Sequence, residues 1–212
     1  VNPDDGIIMI VDQDGSGGAP NDGDLILAGS PFPDFYGGLA NNMSFKNFDL
    51  SMFFQFSYGN EIYNATRSWM ENLKLNDRTI IGTNTTQAAF DNRWQQPGDI
   101  TRYPGVNYDG RNDNYTLPHT GWLEDGSYLR LKSLTFGYTF DSTLLSKLNL
   151  NSARIYLTAN NLLTFTNYSG FDPEVDHFTG VNGGANSGLL RGYDYGSYPQ
   201  ARSLRIGINV TF

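Results

Sequence analysis

The chain has 212 residues, with 14 Lys and Arg against 22 Asp and Glu for a formal net charge of −8, and no cysteine. The acidic balance argues against a nucleic-acid backbone as partner, and the missing thiols exclude disulfides, thiolate metal sites and cysteine nucleophiles. Gly 24, Tyr 13 and Phe 14, with abundant Asn and Thr, favour strands and turns over helices; no apolar run approaches the ~18 residues of a membrane helix, but a barrel strand needs only ~9–11 alternating residues.

The opening VNPDDGIIMIV has neither a basic start nor a cleavage site and reads as the interior of a longer protein. DQDGSGGAPNDGD follows, with Asp12, Asp14 and Ser16 at positions one, three and five and Gly17 at the sixth. Calcium loops use that spacing because alternate side chains converge oxygens on a hard cation while glycine permits the sharp turn. The closing position holds Gly23 in place of an acid, flanked by Asp22 and Asp24. Two readings stand: a loose calcium site built on Asp12, Asp14, Ser16 and one of Asp22 or Asp24, or a solvated acidic turn.

Two-faced strands come next. FYGGLANNMSF carries Phe35, Leu39, Met43 and Phe45 on one side; FDLSMFFQFSY carries Phe48, Leu50, Met52, Phe54, Phe56 and Tyr58. Only Lys46-Asn47 joins them, which is hairpin spacing. Strands are expected near 35–46, 48–60, 127–140, 153–166 and 200–212. The third breaks parity, because Arg130 and Lys132 share a face with Leu134, Phe136 and Tyr138; either a bulge intervenes or its upper half stands clear of what buries the lower half. DSTLLSKLNLN suggests a helical turn starting on Ser142. The last strand alternates Leu204, Ile206, Ile208, Val210 and Phe212 with Arg205, Gly207, Asn209 and Thr211.

The connections alternate between short and long, with the long ones at 61–126 and 167–199 and a further long segment at 1–34. Loops beyond ~15 residues are uncommon in compact domains, whereas outer-membrane barrels combine short periplasmic turns with long extracellular loops. The pattern favours a barrel whose apolar stripes face lipid. A soluble β-sandwich, such as a carbohydrate-binding module, is the alternative.

Four segments, SPFPDFYGGLANNMSFKNFDLSMFFQFSYGNEIYN, WLEDGSYLRLKSLTFGYTF, ARIYLTANNLLTFTNYSGFDPEV and YGSYPQARSLRIGINVTF, together resemble the C-terminal strands of the SusC/RagA family, TonB-linked transporters of the Bacteroidetes outer membrane. The resemblance implies an all-β fold, the end of an antiparallel barrel of the 22-stranded type, with the plug and earlier strands absent. It implies import of a bulky nutrient, an oligosaccharide or peptide, with a SusD-like surface lipoprotein as lid and TonB-ExbB-ExbD as energy source. Leu204, Ile206, Ile208, Val210 and the terminal Phe212 resemble the signal read by the barrel-assembly machinery. The family often carries a regular DxNGDG loop near the start, from which this chain departs through its inserted GlyGlyAlaPro.

The remaining candidates lie in loops. Trp69, Trp94, Tyr103, Tyr108, Tyr115 and Trp122 are aromatics that either stack on cargo or a partner or form the core of a long loop. Asp172, Glu174 and Asp176 in GFDPEVD read first as a capped turn around Pro173 and second as metal ligands. His119 and His177 have no nucleophile motif beside them, so the expectation is a protein that is not an enzyme. No cofactor is required on this reading, with Ca2+ the possible exception.

Overall fold

The computed structural model describes residues 1–71, 73, 84–106, 117–175 and 191–212. It divides into two compact units: Val1–Gly29, Tyr63–Leu123 and Tyr193–Gly196 form the first; Ser30–Ile62, Glu124–Gly192 and Ser197–Phe212 form the second.

The second unit is a sheet. Its strands are β1 (Phe35–Phe45), β2 (Phe48–Tyr58), β5 (Tyr128–Thr139), β6 (Ser152–Thr166) and β8 (Ser203–Thr211), in the order β1-β2-β5-β6-β8 with every neighbour antiparallel. β1 and β2 pair without interruption from Phe35↔Tyr58 to Phe45↔Phe48. Lys46, with φ 52, turns the chain, and Asn47 donates its side-chain amide to the Thr139 carbonyl at 2.9 Å, fastening the turn to β5. Between β5 and β6 the short helix α3 (Ser142–Leu145) runs into a 3-10 turn ending on left-handed Asn149.

Register gathers one face. Directly paired residues point to the same side of a sheet, so the stripe of β2 continues onto β5 through Phe48↔Tyr138, Leu50↔Phe136, Met52↔Leu134, Phe54↔Leu131 and Phe56↔Leu129. It continues onto β6 through Leu131↔Leu163 and Phe136↔Leu157, and onto β8 through Leu157↔Ile206 and Ile155↔Ile208. The stripe changes from odd to even numbering along β5, and the change is a bulge: Lys132 is skipped by both ladders, with Asn161 and Leu162 standing opposite it outside the β6 register. Without that extra residue, either Arg130 or Leu134, Phe136 and Tyr138 would lie on the wrong face.

The first unit holds more regular structure than a bare loop. α1 (Ala65–Met70) is capped by Asn64, whose Oδ1 accepts from the Arg67 N–H at 2.9 Å, and α2 (Gln87–Asn92) by Thr86, whose Oγ1 accepts from Ala89 at 3.1 Å. The unit also holds the parallel pairing of β3 (Glu61–Asn64) with β7 (Tyr193–Asp194) through Tyr63↔Tyr193 and Asn64↔Asp194, and a further short strand, β4, spans Leu123–Asp125. These elements fall inside segments expected as loops. They are too short for a period of two or 3.6 to show in sequence.

Candidate functional site

The apolar face of the five-stranded sheet is exposed. Leu204, Ile206 and Ile208 keep 67%, 73% and 66% of their surface accessible, with Leu39, Phe45 and Leu163 also exposed among the large apolar residues. Contiguous apolar area on that scale marks an interaction surface. Aromatic clusters close both ends of the stripe. Phe35 stacks on Tyr58 at 5.0 Å; at the other end Phe48 meets Phe136 at 5.6 Å and Tyr138 at 4.8 Å. From Phe48 to Tyr58 the strand runs roughly 33 Å, which at a tilt of about 40° spans about 25 Å, the height of the apolar band between the aromatic girdles of a membrane barrel. Ile206, Ile208 and Val210 lie on this face, and Arg205, Asn209 and Thr211 on the other.

The opposite face is polar and internally paired. Thr135 and Thr158 share a hydrogen bond at 3.1 Å, Ser51 donates to Asn42 at 2.6 Å, and Asn160 donates to Ser203 at 3.0 Å. Arg154 on β6 reaches across β5 to Asp49 on β2, its Nε at 3.0 Å from Oδ1. Gly137 makes the crossing possible, because a Cβ there would stand 2.4 Å from Arg154 Nη2 and 2.5 Å from Asp49 Oδ1.

Toward the far end of the same face, Arg130 binds both Asp172 and Glu174, and Lys132 binds Glu174 at 2.7 Å. Asp172 and Glu174 are thus ion-pair partners, and the Glu174 N–H donates to Asp172 Oδ1 at 2.9 Å across Pro173, the capped turn of the first reading; Asp176 and His177 lie outside the described residues. Burial pushes the Asp172 carboxyl up, but the Arg130 hydrogen bond and backbone N–H groups of Gln200 and Glu174 outweigh it and hold Asp172 below the ordinary carboxylate value. Sequence reasoning missed this pairing because its members stand far apart in the chain. The signal available was two cations on a strand otherwise poor in charge.

The loop aromatics divide. Tyr103 and Trp122 are buried in the first unit, as the core-forming one of the two readings has it. Trp94 lies over Gly6, where φ is +72 and a Cβ would meet the indole at 2.4 Å, and its Nε1 donates to the Pro3 carbonyl at 2.8 Å. It is a staple holding the opening segment to the long loop. Trp69 alone of the described four is exposed, edge-on to Tyr195 at 5.7 Å, near the stacked pair Tyr63–Tyr193. Tyr108 and Tyr115 lie outside the described residues.

A cavity of about 750 Å³ opens in the first unit, lined by Ile8, Ile10, Leu25, Tyr63, His119 and Trp122 among others. That volume lies within the ~300–1,000 Å³ of small-molecule pockets. His119 Nδ1 accepts from the Gly121 N–H at 3.1 Å, which leaves the proton of the neutral ring on Nε2, and burial keeps the imidazole below its ordinary pKa. Elsewhere in the first unit, buried Glu71 takes the Arg67 guanidinium at 2.9 Å and the Thr86 hydroxyl at 3.2 Å. No nucleophile joins His119 among the described residues.

In the acidic segment Asp12, Asp14 and Asp24 bring one carboxylate oxygen each to within 4.8 Å of one another. Asp24 is the closing acid of the two considered. Asn21 caps the turn Asp22–Asp24, and Asp24 folds back to accept from the N–H groups of Asn21 and Gln13 at 2.9 and 2.7 Å. Asp22 is outside the cluster, while Ser16 lies against it, its N–H donating to Asp14 Oδ1 at 2.9 Å and its Oγ accepting from Asn21. The Ser16 side-chain and backbone hydrogen bonds lower the Asp14 pKa.

No protein-family model matches the chain. A TonB-dependent receptor of Formosa agariphila, P3, is 37% identical over 204 residues, which are 96% of this chain and 19% of that receptor. The TonB-dependent receptor SusC of Bacteroides thetaiotaomicron is 25% identical over 205 residues, 96% of this chain and 17% of SusC. Among solved structures, the RagAB peptide transporter superposes with a TM-score of 0.65 at 28% identity, over 87% of this chain and 18% of that one. The RagAB peptide importer in its open-open state gives 0.62 at 28%, over 85% and 17%. The chain spans 19% or less of the length of the curated relatives it matches.

Proposed function

The chain belongs with the TonB-dependent receptors of the SusC/RagA type, its sheet forms part of their barrel fold, and from that premise we propose that the whole protein imports a bulky nutrient across the outer membrane. The relatives are named receptors and transporters, which points away from catalysis. The observation that carries the proposal is the register: it assembles an exposed apolar face closed by aromatic clusters at both ends, which lipid covers in a barrel and which a soluble sandwich would bury. The polar face then lines the wet interior.

On this reading the cargo is an oligosaccharide or a peptide, met by the long loops at the extracellular mouth together with a SusD-like lipoprotein. TonB-ExbB-ExbD drives uptake, and the barrel-assembly machinery reads the strand ending at Phe212. Trp69 with Tyr195 supplies exposed stacking area. Deleting Asn167–Gln200 while keeping the strands should abolish nutrient-limited growth or lipoprotein co-purification without preventing insertion. Normal growth with an intact complex, at confirmed surface expression, rules out that role for the loop.

For the acidic segment the convergence of Asp12, Asp14 and Asp24 supports calcium, at the weak ~10⁻⁴–10⁻³ M grade of extracellular sites. Terbium luminescence on the full-length receptor should rise on binding and fall with calcium competition, and D12N/D14N should remove it. A signal unchanged in that variant refutes the site.

A further inference from the structure

Arg130 is buried in the sheet with 2% of its surface exposed. Its two terminal nitrogens serve different carboxylates, Nη2 on Asp172 and Nη1 on Glu174, both in the segment that leaves β6. Lys132 reaches the same Glu174 oxygen as Arg130, while Gln55 on β2 donates to the other Glu174 oxygen at 3.0 Å and to the Tyr128 hydroxyl at 2.9 Å. Asp172 does a second job. Its Oδ1 accepts from the Glu174 N–H at 2.9 Å and its Oδ2 from the Gln200 N–H at 2.8 Å, so one side chain joins the outgoing and returning ends of the last long loop.

Every group in this set lies within the second compact unit. We propose that Arg130 and Lys132 form a clamp that fixes the root of the last long loop to the inner wall, while Asp172 closes the two ends of that loop on each other. The loop is then presented from a fixed base, and contacts made by its tip need not offset the entropy of ordering its root. A guanidinium suits the position because its planar fork divides between two carboxylates, which an ammonium on the same stem does not reproduce. The bulge at Lys132 belongs to the device. It keeps both cations on the polar side while Leu134, Phe136 and Tyr138 stay on the apolar side.

Naming that face the interior rests on the proposed transporter function; the clamp itself is read by a measurement that does not involve transport. Amide hydrogen exchange on the full-length receptor in nanodiscs would compare the Glu174 and Gln200 N–H groups with the ladder amides of β5 and β6. R130M should speed exchange at Glu174 and Gln200 by roughly tenfold or more, with the ladder protected; R130K should fall between wild type and R130M, and K132M should affect Glu174 more than Gln200. Unchanged exchange at both amides in a correctly inserted R130M overturns the clamp. If R130M does not insert, Asp172→Asn decides by the same readout, with faster exchange at Gln200 expected and no change overturning it. A failed uptake assay with these exchange effects intact would count against the transport reading alone.

Discussion

On one face of the sheet Leu50, Met52, Leu134, Phe136, Leu157 and Ile206 meet their neighbours through nondirectional apolar contact; on the other, one residue away along each strand, Asp49 is tied to Arg154, Thr135 to Thr158, and Arg130 to Asp172 and Glu174. The first face asks only that each position be apolar, since lipid accommodates any shape. The second asks for particular partners at particular distances, since a charge withdrawn from water is tolerated only when paired. Tolerance to substitution should therefore differ between adjacent residues of one strand.

The largest contrast is expected at Ile206. Ile206→Arg places a cation on the apolar face at a cost of ~2–4 kcal/mol near the bilayer midplane, whereas Ile206→Leu should be nearly silent. The fraction of receptor showing heat-modifiable mobility on gels, extracted from outer membranes, measures this. An unimpaired Ile206→Arg would mean that the face does not meet lipid.

A smaller and conditional effect concerns Asp172. Its folded pKa lies below its ordinary value of 3.8, so the stabilisation from its ionised form is fully present above that value and is lost as the pH falls through the lower, folded pKa. Limited proteolysis of the last loop should be constant from neutral pH down to about 4 and rise only below 3.8. Asp172→Asn should be sensitive throughout, with no acid limb.

The smallest effect is expected at Gly137. Gly137→Ala brings a Cβ against the ends of two flexible side chains and not against backbone, so the Arg154–Asp49 pair shifts and the strand remains. Both side chains are partly solvated, and such pairs contribute about 0.2–1 kcal/mol. Chemical denaturation of the receptor should show a loss within that range, and a double-mutant cycle of Gly137→Ala with Asp49→Asn should show coupling.

The strands of the sheet were legible because alternation over nine or more residues is a strong signal, and it needs nothing beyond the chain itself: Phe48 to Tyr58 and Leu204 to Val210 announce their two faces without a partner in view. The broken parity at Arg130 and Lys132 was visible too, as a bulge or as a strand standing clear. Tertiary structure chose the bulge, because only the registers against β2 and β6 show which residue is skipped. The loops were less legible. That Tyr103 and Trp122 are buried while Trp69 is exposed depends on what folds over each ring, and an aromatic residue carries the same letter in either place. Asp172 and Glu174 read as a turn with possible ligands because their neighbours in sequence are all that a one-dimensional reading sees; their cations come from another strand. Local alternation is imposed by backbone geometry and so is written in the order of residues, whereas the pairing of buried charges is imposed by distance in space, which the fold alone supplies.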